Sequence, residues 1–240
     1  TNQTPALSLS LSLSLSELGE PARLECTIQA YCLSALSLEG ARSSERQMMA
    51  SGVTPTLDAL AASGVRFERF YAHAPTTLNS HTSLMTGRDP HAHAVPRNGY
   101  RLPPELPTLA QRLDDVGYRT VAVVAAKALE ADMGLDLGFD TYDDEMSIRL
   151  GPMYQDLAEN VTDRALAAVD ANAGDGPLLL WVHYYDPHGP YRAPGEWFGR
   201  FMQPGYTGPY ADPEASVALR SDLRNGTADA DDVDQIAARY

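Results

Sequence analysis

The chain has 240 residues, 44% of them hydrophobic, and a formal net charge of −14 at pH 7. That length suits one large domain or two small ones, and that charge argues against nucleic acid as a partner. Cys26 and Cys32, with five residues between them, form neither a CxxC pair nor a disulfide framework, and the apolar run Leu178–Val182 is far too short to span a bilayer.

Residues 1–50 differ from the rest. Leu7 to Ser16 is a strict Leu-Ser alternation, and the first aspartate of the chain is Asp58. So pure a repeat is low complexity rather than a strand. It is either a genuine disordered tail or an aberrant, repeat-derived start. No charged start followed by an apolar core marks a signal peptide.

From Thr54 the pattern becomes regular. Thr54 to Gly64 carries a hydroxyl cap, an early proline, an Ala/Leu interior and a final glycine, which predicts a short helix. Val65 to Tyr71 alternates and is aromatic, which predicts a strand. Next comes Ala74-Pro75-Thr76-Thr77-Leu78-Asn79-Ser80-His81-Thr82-Ser83-Leu84-Met85-Thr86-Gly87-Arg88. Proline and hydroxyls open it and glycine closes it, so it predicts a helix with a hydroxyl cap and a left-handed glycine end. Thr77 and His81 are four apart and share a face. The first-turn amides and the helix dipole attract anions. The stretch is therefore either a capped surface helix or a hydroxyl nucleophile at an anion site with an imidazole beside it.

Arg88 to Pro107 reads as a loop, Thr108 to Val116 as a helix ended by Gly117, and Tyr118 to Val124 as a buried strand. Gly134 to Asp144 reads as a loop, with Asp143 and Asp144 in a solvated turn. Leu157 to Ala173 is an amphipathic helix that includes the common glycosylation tripeptide Asn160-Val161-Thr162, and Pro177 to Tyr185 is a second buried strand. Gly189 to Arg224, rich in Pro, Gly and Tyr, reads as a surface excursion, and Asp229 to Tyr240 opens a last helix. Helices alternating with Val/Leu-rich strands predict an α/β fold: a three-layer α/β/α sandwich around a mainly parallel sheet. Ligands of such folds sit at the carboxyl ends of strands, where the loops carrying Thr77 and Asp186-Pro187-His188 would fall.

These motifs, in order over Thr54 to Tyr240, resemble the sulfatase family of the alkaline-phosphatase-like superfamily. Thr54 to Ala61 resembles the family's "TPNLDALA" segment. Ala74 to Arg88 resembles its nucleophile-x-P-S-R block followed by "LLTGR". Pro90 to Val95 resembles "PHxHGV", and His183 to Tyr191 resembles "HxxDPHxPY". Gly117-Tyr118-Arg119-Thr120 and Gly138-Phe139-Asp140 recur at such places in the family. The departures are specific: Thr77 stands where a sulfatase has its formylglycine cysteine, Asn79 where it has proline and His81 where it has arginine.

The resemblance implies a hydrolase acting on sulfuric or phosphoric esters, with Thr77 as nucleophile and metal ligand and His81 and His188 as catalytic partners. Arg88 and Lys127 stand near the family's substrate-binding positions. The alternative for Arg88 is a bond to the helix's last carbonyls, and Lys127 lies two places later than the motif expects. His183 is expected to be a packed neighbour. The implied cofactor is a divalent cation (calcium, magnesium, manganese or zinc) and the implied partner a small anionic ester. Residues 1–53 contain no aspartate to supply the family's first metal ligands, and its remaining ligands fall beyond Tyr240. The domain at 54–240 is therefore expected to be a partial, alkaline-phosphatase-like catalytic domain, inactive by itself. A phosphodiesterase- or phosphoethanolamine-transferase-like enzyme is the neighbouring alternative. A non-catalytic binding protein on a decayed scaffold is the alternative of another class.

Overall fold

A computed structural model describes residues 55–63, 72–150, 153–173, 176–186, 188, 202, 204–212 and 219–237. The Leu-Ser repeat, both cysteines and the expected strand at 65–71 lie outside the described residues. The chain divides into two compact units, Thr1–Tyr185 and Asp186–Tyr240.

In the first unit, helix α1 (Pro55–Ser63) precedes α2 (Thr77–Thr86), the short α3 (Pro90–His93) and α4 (Leu109–Asp114). Strands β1 (Arg119–Val124) and β2 (Thr141–Asp143), the hairpin β3 (Ile148–Leu150) and β4 (Met153–Gln155), helix α5 (Ala158–Ala171) and strand β5 (Leu178–His183) follow. The main sheet has order β2-β1-β5 and is parallel throughout, with Val121 opposite Thr141 on one side and Leu180 on the other.

Alternation along the strands splits the core into two faces. Val124 packs with Leu78, Met85, Leu129 and Leu135 under α2, and Trp181 joins that cluster. Val123 packs with Val161 and Ala165 under α5, joined by Val182. Helices therefore cover both faces, and the expected α/β layering is present. Val121 to Ala125 are 0% exposed, which is why this strand reads as an unbroken apolar run rather than an alternation.

Several expected loops contain structure. The 88–107 stretch includes α3, ended by Ala94 at φ 61, and the 134–144 stretch includes β2. The acidic pair there is not a solvated turn. Asp143 lies in β2 and pairs with Arg164, and Asp144 accepts the Ala131 N–H at 2.8 Å. Arg164 also reaches Asp156, which is 3% exposed. Asn160 donates to Asp156 and Ser147 from the first turn of α5, so the amide of that glycosylation tripeptide is engaged within the fold.

The second unit holds helices α6 (Leu219–Asn225) and α7 (Ala230–Ala237) and a 3₁₀ turn at Pro209–Ala211. The expected surface excursion is thus partly helical. Tyr210, 1% exposed, donates to Asp222 at 2.6 Å. Burial and the neighbouring Asp222 push its hydroxyl above the usual tyrosine range. Asp229 and Asp232 accept each other's backbone N–H at 3.0 Å and so cap α7 reciprocally.

Candidate functional site

Helix α2 is unusually polar for its burial. Asn79, Ser80, His81, Thr82 and Ser83 are all buried, and buried polar groups must be bonded. The hydroxyls bond backward along the helix: Ser80 to the Thr77 carbonyl at 3.0 Å, Thr82 to Leu78 at 2.8 Å and Thr86 to Thr82 at 2.7 Å. Gly87, at φ 65, closes the helix by donating to the Ser83 carbonyl at 2.9 Å.

The start of the helix differs from the hydroxyl cap expected. Thr76 is the cap residue, in extended conformation, but makes no capping bond. Its hydroxyl donates to Asn79 Oδ1 at 2.8 Å instead. The Leu78 N–H donates to Asn98 Oδ1 at 2.8 Å, and Asn79 Nδ2 donates to the Pro96 carbonyl at 2.9 Å. Two carboxamides thus clamp the first turn to the 96–98 loop, and one of the amides available for an anion is already occupied.

Thr77 is the first helical residue and is half-buried. His81 shares its face as expected, but the bond between them runs to the backbone: Nδ1 lies 2.7 Å from the Thr77 carbonyl. A carbonyl only accepts, so Nδ1 carries the proton and Nε2 is the basic nitrogen. Burial lowers the His81 pKa to about 4, against the raising effect of the Thr77 carbonyl. The ring is neutral near neutral pH. It rests edge-on against His183 at 5.0 Å and beside Trp181 at 5.8 Å. Trp181 and His183 are alternate residues of β5, so they face α2 together, at the carboxyl end of the strand.

A second histidine holds the far side of α2. The Val95 N–H donates to His93 Nδ1 at 3.1 Å, which leaves the proton on Nε2 for Ser83 Oγ at 3.0 Å. Burial also lowers the His93 pKa.

Lys127 is exposed on a 3₁₀ turn, Lys127–Leu129, that packs against α2. Arg88 is exposed beyond the carboxyl end of α2, about 16 Å along the axis from Thr77. His188 belongs to the second unit. The structure therefore brings Thr77 and His81 together, with His183 as a packed neighbour of His81, and packs the Lys127 turn against α2. Asn98, Trp181 and His93 are additional; their contacts join residues 10 to 20 positions apart or more, beyond any local spacing rule. Among the described residues, no group of three or more His, Cys, Asp or Glu is placed to hold a metal ion.

Sequence comparisons with known proteins agree on one family. The sulfatase family model matches residues 38–233. The chain is 28% identical over 184 residues to arylsulfatase J of Mus musculus, covering 62% of this chain and 31% of that protein. It is 26% identical over 191 residues to an arylsulfatase of Klebsiella aerogenes, covering 62% and 40%. A solved structure of BT4656 in complex with its substrate D-glucosamine-2-N,6-O-disulfate shares 18% identity at TM-score 0.49, over 62% of this chain and 35% of that one. The chain spans between 31% and 40% of the length of these curated relatives. With its ordered motifs on a parallel α/β sheet and the family model matching most of its length, the chain belongs to the sulfatase family.

Proposed function

We propose that this protein's chemistry is hydrolysis or transfer of an anionic sulfuric or phosphoric ester, with the Thr77 hydroxyl as nucleophile. The observation that carries this is the placement of Thr77 as first residue of α2. That helix is polar and buried, and two asparagines and His81 fix its first turn. Leu78 and Met85 anchor the helix in the core, and its polar bonds fix the first turn, so the residue that carries the hydroxyl is held in place, which is what a nucleophile requires.

A threonine changes the family chemistry. A formylglycine hydrate expels sulfate by collapsing to an aldehyde, whereas a threonine ester must be cleaved by water or passed to an acceptor. The hydroxyl also needs help to ionise. His81, with a pKa of about 4, is too weak a base for that near neutral pH. Its role is positioning: Nδ1–H fixes the Thr77 carbonyl and so the start of the helix. The family's divalent cation would supply the activation when bound. Because residues 1–53 carry no aspartate to supply the family's first metal ligands, the 240-residue chain is proposed not to turn over alone.

The test has two parts. The purified chain is assayed for release of 4-nitrophenol from its sulfate and phosphate esters with calcium, magnesium, manganese or zinc, beside Thr77→Ala. No release is expected; metal-dependent release abolished by Thr77→Ala would overturn the inactivity and keep the nucleophile. The genomic locus is then sequenced and any longer frame expressed. If it supplies acidic ligands, the longer protein releases product and loses release with Thr77→Ala. Release that survives the substitution overturns Thr77 as nucleophile, and a locus with no such ligands favours the binding-protein alternative.

A further inference from the structure

We propose that Arg97, held beside the first turn of α2 and braced on Tyr100, binds the anionic group of the substrate. The inference rests on the ester-hydrolase function proposed above and names the residue that supplies its positive charge.

Placement comes first. Arg97 lies between the two tethers of its loop. The residue before it, Pro96, accepts from Asn79 at 2.9 Å, and the residue after it, Asn98, accepts from Leu78 at 2.8 Å. Leu78 and Asn79 directly follow Thr77. With consecutive Cα atoms about 3.8 Å apart, the Arg97 backbone is confined to within about 10 Å of Thr77. Tethers on both sides hold it there.

Charge comes second. A protein of net charge −14 needs a local cation to hold an anionic ester. Apart from Lys127, on the turn packed against α2, the groups placed near Thr77 do not supply it. The Leu78 N–H is taken by Asn98, His81 is neutral near pH 7, and Arg88 lies beyond the far end of the helix. The family's motif arginine is His81 here, so its charge is absent from the helix itself. Arg97 restores a guanidinium from the adjoining loop.

Availability comes third. The Arg97 guanidinium carbon lies 5.7 Å from the Tyr100 ring centroid, a cation–π contact that orients the side chain without consuming its N–H donors. Both residues are exposed, Tyr100 at 44%. Among the described residues no carboxylate forms an ion pair with Arg97. A planar fork with free donors matches two oxygens of a tetrahedral oxyanion. Sulfate and phosphate esters share that group.

The experiment is a binding titration, which does not depend on turnover. The 240-residue chain is titrated with inorganic sulfate, and separately with inorganic phosphate, and binding is followed by calorimetry or amide chemical shifts. Saturable binding is expected with at least one of them, and which one tells the two ester classes apart. Arg97→Gln is expected to weaken it about tenfold or more, the scale of a charge-assisted hydrogen bond. Arg97→Lys retains part of it. Arg112→Gln, an exposed arginine on α4, is the control for bulk charge and leaves binding unchanged. Circular dichroism of each variant checks the fold. No saturable binding by the parent chain, unchanged binding by Arg97→Gln, or an equal loss in Arg112→Gln each overturns the proposal. Arg97-dependent binding together with product release indifferent to Thr77 would sink the nucleophile assignment and leave this one standing.

Discussion

Replacing His81 with phenylalanine should invert the stability order of parent and variant between neutral and mildly acid pH. In the native chain His81 is 3% exposed and burial lowers its pKa to about 4, against 6.5 for the free side chain. Below pH 6.5 the unfolded chain takes up a proton that the native state refuses. Stability therefore falls as pH drops from 6.5 towards 4, at about 1.4 kcal/mol per pH unit for one such group. From about pH 7.5 to about pH 5 the His81 share of that loss is about 2 kcal/mol. Phenylalanine keeps a ring against Trp181 and His183 but loses the 2.7 Å bond to the Thr77 carbonyl, which costs about 1 kcal/mol. Near pH 7.5 the variant is then less stable by about 1 kcal/mol, and near pH 5 more stable by a similar amount. Urea unfolding of both proteins at the two pH values measures the double difference. Burial lowers the His93 pKa too, so the parent curve alone does not isolate His81; the difference between the curves does. Parallel curves would refute a buried, neutral His81.

Two other substitutions probe the frame that holds the site. Gly138→Ala places a Cβ 2.2 Å from the Gln111 nitrogen at a backbone φ of +88, so a loss of about 3 kcal/mol or more is expected in urea unfolding; a loss under about 1 kcal/mol would show that the 138 turn yields easily. Arg164→Met leaves Asp156 buried without its cation, which should cost about 3 kcal/mol or more at neutral pH. Burial raises the Asp156 pKa, but the hydrogen bonds from Ser147, Asn160 and Leu157 and the Arg164 charge outweigh it and hold the carboxyl below its usual range. The Arg164→Met penalty should accordingly shrink as pH falls and Asp156 protonates, and a penalty independent of pH would show that the ion pair is not its source.

What could be read in the sequence follows the range of the interaction. Helix ends are local signals, so the Gly87 closure and the start at Thr108 were legible; Thr108 accepts from Gln111 N–H, and its own N–H is taken by the Gln111 side chain. The buried strand at 119–124 was legible because a central parallel strand tolerates little besides Val and Ala. Short elements were not: α3 and β2 span 4 and 3 residues, too few to express a period. The Asp143-Asp144 doublet looked solvated because its partners, Arg164 and the Ala131 amide, come from elsewhere in the chain. The same limit hid the tether of Leu78 to Asn98, 20 residues apart.

The two weak motifs Gly117-Tyr118-Arg119-Thr120 and Gly138-Phe139-Asp140 prove to be halves of one structure. Thr120 donates its hydroxyl to the Gly138 carbonyl at 2.7 Å and its N–H to Asp140 at 2.9 Å, and accepts the Asp140 N–H at 2.9 Å. This lock ties the start of β1 to the turn entering β2 and sets their parallel register, Val121 opposite Thr141. Gly138 is needed there because the turn passes against α4 with no room for a side chain. The lock and the site belong to opposite ends of the sheet. Thr120 stands at the entry to β1, whereas His183, at the carboxyl end of β5, meets His81 of α2. Motifs that look alike as sequence signals thus divide by strand polarity: the pair at the strand starts aligns the sheet, and the one at the end of β5 meets the helix that opens on Thr77. This division is why a substitution at Gly138 should register in stability, while those at Thr77 and Arg97 should register in chemistry and binding.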